Sequence, residues 1–267
     1  MYRVFFCLLG FAASLFAVDD TIIAYHSAIH DSLYQAEIYS RVAESACRYL
    51  AMRDVPALIA CYGSRGLALD YGVGTGLSIN FLQSMGFQVS GADISDAMIA
   101  EAARNCSGVS WYKIVDGQIP CASRSFDCVF SSFVLFEIGS RADLLAYLSE
   151  AYRILKSDGL FIAITGREEV YSRDWYCLQV DFPENKNLVS GALAKSYLPD
   201  TNMVFWDFFW KESDYAELFD HAGFSVIATY HPLGKKNEGY PWRDEQFYSI
   251  NSFVLFYLVE NINELLG

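Results

Sequence analysis

The sequence predicts an α/β fold with a mostly parallel sheet covered by helices on both faces. Three observations carry that expectation. Apolar runs of strand length alternate with helical patterns between residue 66 and about residue 222. A glycine-rich turn, Asp70-Tyr-Gly72-Val-Gly74-Thr-Gly76, follows the first of these runs directly, and an acid, Asp93, closes the second.

The elements follow in order. Residues 22–55 place Tyr34, Ile38, Val42, Ala46 and Tyr49 at near-helical spacing, which predicts one or two helices ahead of the sheet. Residues 66–70 form a buried strand, and after the glycine turn a helical run extends to about Met85. Residues 87–92 give a second strand, and Ser95 is placed to cap a helix carrying Ala97, Met98, Ala100 and Ala103. A third strand at 110–115 precedes the turn-rich Asp116-Gly-Gln-Ile-Pro120, and 126–131 supplies a fourth. The helix 141–155 is stopped by Ser157-Asp158-Gly159, and 160–165 gives a fifth strand. Between 166 and about 211 the rhythm fails, and the density of Tyr, Trp and Phe there predicts an aromatic insertion above the sheet. A helix at 213–222 and strands at 224–230 and 247–259 close the pattern as an antiparallel tail. No repeat or linker divides the chain, so residues 19–267 read as a single domain with a helical lid at about 22–55.

Composition narrows the function. The 267 residues hold 19 basic and 32 acidic side chains, a formal charge of -13, which argues against a phosphate-backbone partner. The largest basic group is only Lys235-Lys236 with scattered arginines. Aromatic residues at 16% suit a heavy core and an aromatic-lined pocket. Met1-Tyr-Arg3, an apolar run at 4–18 and Asp19-Asp20 together have the pattern of an export signal, and the run is short for a membrane span. Export or membrane association through 4–18 is one reading, and an amphipathic or buried N-terminal helix is the competing one. The seven cysteines at 7, 47, 61, 106, 121, 128 and 177 include no C-x-x-C pair, and removing residues 1–18 would leave six, read as buried thiols. His26 and His30 lie four apart on the expected helix without a third ligand, so no metal site is expected.

The glycine turn lets a ligand approach the main chain, and the helix terminus behind it favours negative charge. Asp93, at the end of the next strand, can accept hydrogen bonds from ribose hydroxyls. From about residue 35 to 260 the chain resembles the class I S-adenosylmethionine-dependent methyltransferases. The resemblance implies a Rossmann-like, mostly parallel seven-stranded sheet with an antiparallel C-terminal hairpin, and S-adenosyl-L-methionine as cofactor. It further implies that Asp70, Gly72, Gly74 and Gly76 surround the methionine end, that Asp93 binds the ribose, and that Ile94 borders the adenine. Asp116-Gly117 matches the adenine-amine position, and Ser131 ends the fourth strand, which faces cofactor and acceptor. Phe136-Glu137 stands where many small-molecule relatives have a His, so the sequence offers no histidine base there.

Methyl transfer from a sulfonium proceeds largely by positioning. For an acceptor that must lose a proton, Glu137 and Asp207 are the candidate acids. Tyr34, Tyr171, Tyr176, Trp206 and Trp210 are the candidate walls of the acceptor site, with Tyr34 and Tyr39 in the helix that the resemblance lays across the cofactor entrance. Phe205, Phe208 and Phe209 read equally as packing. Lys235, in the loop 233–242, is placed to recognise a carboxylate. The expected function is methyl transfer to a small-molecule acceptor. A protein or peptide acceptor and a noncatalytic cofactor-binding role remain as alternatives. A nicotinamide oxidoreductase is disfavoured by the Gly-x-Gly-x-Gly spacing. Cofactor use favours the cytoplasm, in conflict with the export reading, and nothing sets the oligomeric state.

Overall fold

The computed structural model describes residues 39–40, 45–62 and 66–242, together with the backbone of two further strands at 23–26 and 255–260. The leader at 1–18, Tyr34 and His30 lie outside the described residues. In chain order the elements are β1 (Ile23–His26), α1 (Ala46–Met52), α2 (Val55–Tyr62), β2 (Leu67–Tyr71), α3 (Ile79–Ser84), β3 (Gln88–Asp93), α4 (Asp96–Asn105), β4 (Ser110–Lys113) and β5 (Phe126–Ser132). Then come α5 (Arg141–Ile154), β6 (Leu155–Thr165), β7 (Leu193–Leu198), β8 (Met203–Phe208), α6 (Glu212–His221), β9 (Ser225–Tyr230) and β10 (Leu255–Glu260).

Seven strands form one sheet in the order β4-β3-β2-β5-β6-β10-β9. The first five are mutually parallel, and β10 runs antiparallel to both β6 and β9. Neighbouring residues of one strand enter opposite cores: Ala68, Cys128, Phe130 and Ile162 on one face, Leu69, Val129 and Phe161 on the other. That two-sided burial explains the near-continuous apolar runs. Chain order reverses between β2 and β5, so the crevice at their carboxyl ends is where such a sheet takes a ligand. The inserted antiparallel β10 departs from the all-parallel dinucleotide-binding order. Ser95 caps α4 by accepting from the Met98 amide at 3.2 Å, and Ser140 caps α5 by accepting from the Asp143 amide at 3.1 Å.

Two expectations need correction. Ser157-Asp158-Gly159 does not stop a helix: α5 ends at Ile154 and β6 starts at Leu155, which pairs with Phe126 across a register shift. The start of the expected N-terminal helical lid is a strand. Ile23–His26 pairs in parallel with Met203–Trp206 of β8, and β8 pairs with β7, giving a separate three-stranded sheet. Pairing with a strand 180 residues away overrides the local spacing there, and it takes His26 out of the helix that was to align it with His30. The insertion at 166–211 therefore contributes two strands, β7 and β8, to the three-stranded sheet, and the remainder of it is turns and irregular chain. No described helix is long and apolar enough to cross a membrane. Cys47, Cys106, Cys128 and Cys177 are buried thiols, whereas Cys61 is exposed. Burial pushes the Cys128 thiol up to about 12.

Candidate active site

A cleft of about 670 Å³ opens at the carboxyl ends of β2, β3 and β5. Its floor is main chain. The amides of Gly72 and Val73 donate to Ala92 O at 2.8 and 2.9 Å, which ties the glycine turn to β3. Gly72 sits at φ +78°, and a Cβ there would collide with Val134, so the turn requires glycine. Asp93 Oδ2 accepts from the Gly74 amide and Oδ1 from the Ser95 amide, both at 2.8 Å. One carboxylate thus orders the turn and the start of α4 at the edge of the cleft. Ile94 is 71% exposed against the same cleft, an apolar side chain held in the open by its position after Asp93.

Tyr147, on α5, closes the floor. Its ring stacks on Tyr71 at 3.9 Å, and its hydroxyl donates to Tyr71 O at 2.9 Å. With its one proton committed, it accepts from Ser131 Oγ at 2.8 Å. Burial raises this phenol well above the ordinary tyrosine range.

A second, smaller chamber of about 90 Å³ shares Tyr39, Phe133 and Glu137 with the cleft. Apolar residues from the insertion, Val170, Leu178, Leu198 and Phe205, wall it together with Phe136. The alternation of β8 turns Phe205 and Asp207 inward as buried residues and leaves Trp206 half-buried on the other face. Asp207 Oδ2 accepts from Ser196 Oγ at 3.3 Å and from the Tyr171 hydroxyl at 3.5 Å. Burial, and then the charge of Glu137, push its carboxyl well above the usual carboxylate range. Arg48, on α1, reaches the same chamber and donates from Nη2 to Leu77 O at 2.6 Å.

Residues 69–163 match a family model described as a methyltransferase domain. Over that stretch the chain is similar to methyltransferase domains. The demethylmenaquinone methyltransferase of Tropheryma whipplei (strain Twist) is 31% identical over 97 residues, 35% of this chain and 39% of that protein. The malonyl-[acyl-carrier protein] O-methyltransferase of Enterobacter lignolyticus is 31% identical over 118 residues, 43% of this chain and 46% of that protein. The chain thus spans under half the length of these curated relatives. An S-adenosylmethionine-dependent methyltransferase from Clostridium acetobutylicum matches in fold with a TM-score of 0.59 at 17% identity, over 84% of this chain and 96% of its own.

Methyltransferases of this fold use S-adenosylmethionine, and the cleft fits that cofactor. The cleft volume lies within the range of small-ligand sites, the bare Gly72 and Gly74 admit a ligand to the main chain, and the Asp93 carboxyl lines the cleft beside the exposed Ile94. Under the turn, Asp70 Oδ2 is a buried oxygen without a hydrogen-bond partner. Burial, opposed by Arg48 and reinforced by Asp93, raises the Asp70 carboxyl to about 7.

Of the positions expected around the cofactor, Gly72, Gly74, Asp93, Ile94 and Gly117 line the cleft. Asp70 does not; it is 1% exposed beneath the turn. Gly76 is a packing glycine, where a Cβ would stand 2.9 Å from Cys106 Sγ. Asp116, at φ +50°, makes the turn that presents Gly117. Ser131 faces Tyr147, and its neighbour Ser132 takes the cleft position, a one-residue offset on a strand.

On the acceptor side, Glu137, Asp207 and Tyr171 come together in the chamber. Trp210 is not a wall there: it is 4% exposed in the core, and its Nε1 donates to Ile138 O at 2.9 Å. Trp206 carries Lys195 Nζ over its ring at 5.6 Å instead. Tyr176 packs edge-on to Trp242 at 6.0 Å, within an aromatic group that includes Tyr49 and Tyr240. The loop carrying Lys235 docks on α1, where Arg53 Nη1 bonds Leu233 O and Glu238, away from the chamber. Tyr39, which the resemblance lays across the cofactor entrance, lines both cavities, whereas Arg48, Phe133 and Tyr147 are lining residues that the sequence does not point to.

Proposed function

We propose that this chain transfers a methyl group from S-adenosylmethionine to a small-molecule acceptor seated in the inner chamber. The observation that carries the reading is the pairing of the two cavities. A cleft with ribose-binding chemistry at the sheet's switch point joins a small, mostly apolar chamber through Tyr39, Phe133 and Glu137. The sulfonium, when bound, supplies an activated methyl group, so that the new bond forms as the carbon–sulfur bond breaks with its electron pair on sulfur.

The chain's own part is positioning and the exclusion of water. Phe133, Phe136, Phe205 and Leu178 keep the chamber apolar, so little solvent competes with the acceptor for the methyl group. Tyr171 and Ser196 fix Asp207 by hydrogen bonds to Oδ2, which sets the direction in which a proton can leave. The small volume favours a small acceptor over an extended peptide. The names of the curated relatives, demethylmenaquinone and malonyl-[acyl-carrier protein] methyltransferases, support methyl transfer and leave the acceptor of this chain open.

Calorimetry with S-adenosylhomocysteine tests the reading. Binding in the micromolar range is expected for the folded protein, and absence of binding to both S-adenosylhomocysteine and S-adenosylmethionine would sink it.

A further inference from the structure

We propose that the inner chamber takes its acceptor as an uncharged molecule held by a carbonyl oxygen, to which Asp207 donates from Oδ1. This rests on the methyltransferase reading and names the acceptor class within it.

Asp207 is 8% exposed and lines the chamber. Two hydroxyls, Ser196 Oγ at 3.3 Å and that of Tyr171 at 3.5 Å, donate to its Oδ2. They fill the acceptor positions of that oxygen, and no cationic group among the described residues bonds the carboxyl. An ionised carboxyl so buried would have only these two long bonds to set against the charge of Glu137. Burial and that charge hold its proton well above the usual carboxylate range. With Oδ2 accepting twice, the proton belongs on Oδ1. Oδ1 has no hydrogen-bond partner among the described residues, and it is not one of the oxygens sealed in the core. A buried acid thus presents one unused donor to the open volume.

Other donors of the chamber are engaged with the main chain: Cys47 Sγ donates to Cys177 O, and the Arg48 guanidinium to Leu77 O. Phe133, Phe136, Leu178 and Phe205 make the walls apolar, so an ion of either sign entering there loses hydration that the walls do not replace. An uncharged carbonyl loses less, and the Oδ1 proton restores its hydrogen bond. A hydroxyl or an amine brings a proton that needs an acceptor of its own, and Oδ2 is already filled. Size agrees with a compact acceptor. At roughly 10–15 Å³ for each water-sized occupant, a chamber of about 90 Å³ holds about six to nine heavy atoms, the size of a simple aryl ketone.

The test is calorimetry on the full chain saturated with S-adenosylhomocysteine, titrated with acetophenone and, separately, with ethylbenzene, which has a similar shape without the oxygen. Acetophenone is expected to bind at least as tightly as ethylbenzene, although water holds it more strongly. Asp207→Asn keeps an acceptor and a donor in the two positions, so acetophenone affinity is expected to stay within about threefold. Asp207→Leu removes the donor at similar volume, and is expected to weaken acetophenone at least about tenfold while ethylbenzene stays within about threefold. The two wild-type titrations decide the matter even where a variant fails to fold. Tighter binding of ethylbenzene, no binding of acetophenone to loaded protein, or undiminished acetophenone binding by Asp207→Leu overturns the carbonyl assignment and leaves the methyltransferase reading standing. Failure of S-adenosylhomocysteine itself to bind removes that reading and the carbonyl proposal with it.

Discussion

The cleft and the chamber are neighbours built on opposite plans. The cleft is made of main chain at strand ends, with one carboxylate, Asp93, holding two amides that lie 21 positions apart or less in sequence from β2 to α4. The chamber is made of side chains from α1, the turn after β5, the segment after β6, and strands β7 and β8. A site made of backbone tolerates changes of side chain, whereas a site made of side chains changes with each substitution.

The hardest test of that division is Asp93→Ala. It strands two amides at about 1–3 kcal/mol each, so S-adenosylhomocysteine affinity is expected to fall about a hundredfold or more by calorimetry. Far-UV circular dichroism should keep the folded spectrum, because the sheet registers do not depend on Asp93. A loss of the folded spectrum would mean that the cleft is part of the scaffold instead of a site upon it.

Asp70 sharpens the comparison through pH. Its carboxyl, at about 7 in the folded chain against 3.8 for the ordinary group, binds a proton in the native state that the unfolded state releases. Stability therefore falls as pH rises from about 4 to about 7, by up to about 4 kcal/mol from this group. Asp70→Asn should flatten that part of the profile in denaturant titrations. An unchanged slope would show that Arg48 keeps Asp70 ionised throughout.

The smallest effects separate two tryptophans of the insertion. Trp210→Phe removes a partly buried hydrogen bond to Ile138 O, for a loss of about 1–2 kcal/mol in denaturant titrations. Trp206→Phe, on the half-buried face of β8, is expected to stay within about 0.5 kcal/mol. Neither should alter S-adenosylhomocysteine affinity by calorimetry, since neither tryptophan lines the cleft.

These contrasts also explain what could be read from the sequence. The seven-stranded sheet, Gly72, Gly74, Asp93 and Ile94 were legible because the turn, the strand periods and the acid at a strand end are local signals. Ser131 was one position out because two adjacent serines look alike until strand alternation is fixed, and Asp70 was placed in the cleft because sequence records its neighbour Gly72 but not the side it faces. Tyr147 and Arg48 sit on helices as ordinary amphipathic residues, and only tertiary packing brings them to the site. Ile23–His26 was misread for the same reason: the partner that makes it a strand lies in the insertion.

That pairing has a consequence for how the chain closes. Joining Ile23 to Met203 spans 180 residues, whereas joining Leu67 to Gln88 spans 21. By loop-closure entropy alone the longer connection costs roughly 2 kcal/mol more. The cleft side can therefore assemble from nearby segments, while the sheet carrying Phe205 and Asp207 waits for a distant strand to complete it, so the chamber side has the higher entropic threshold.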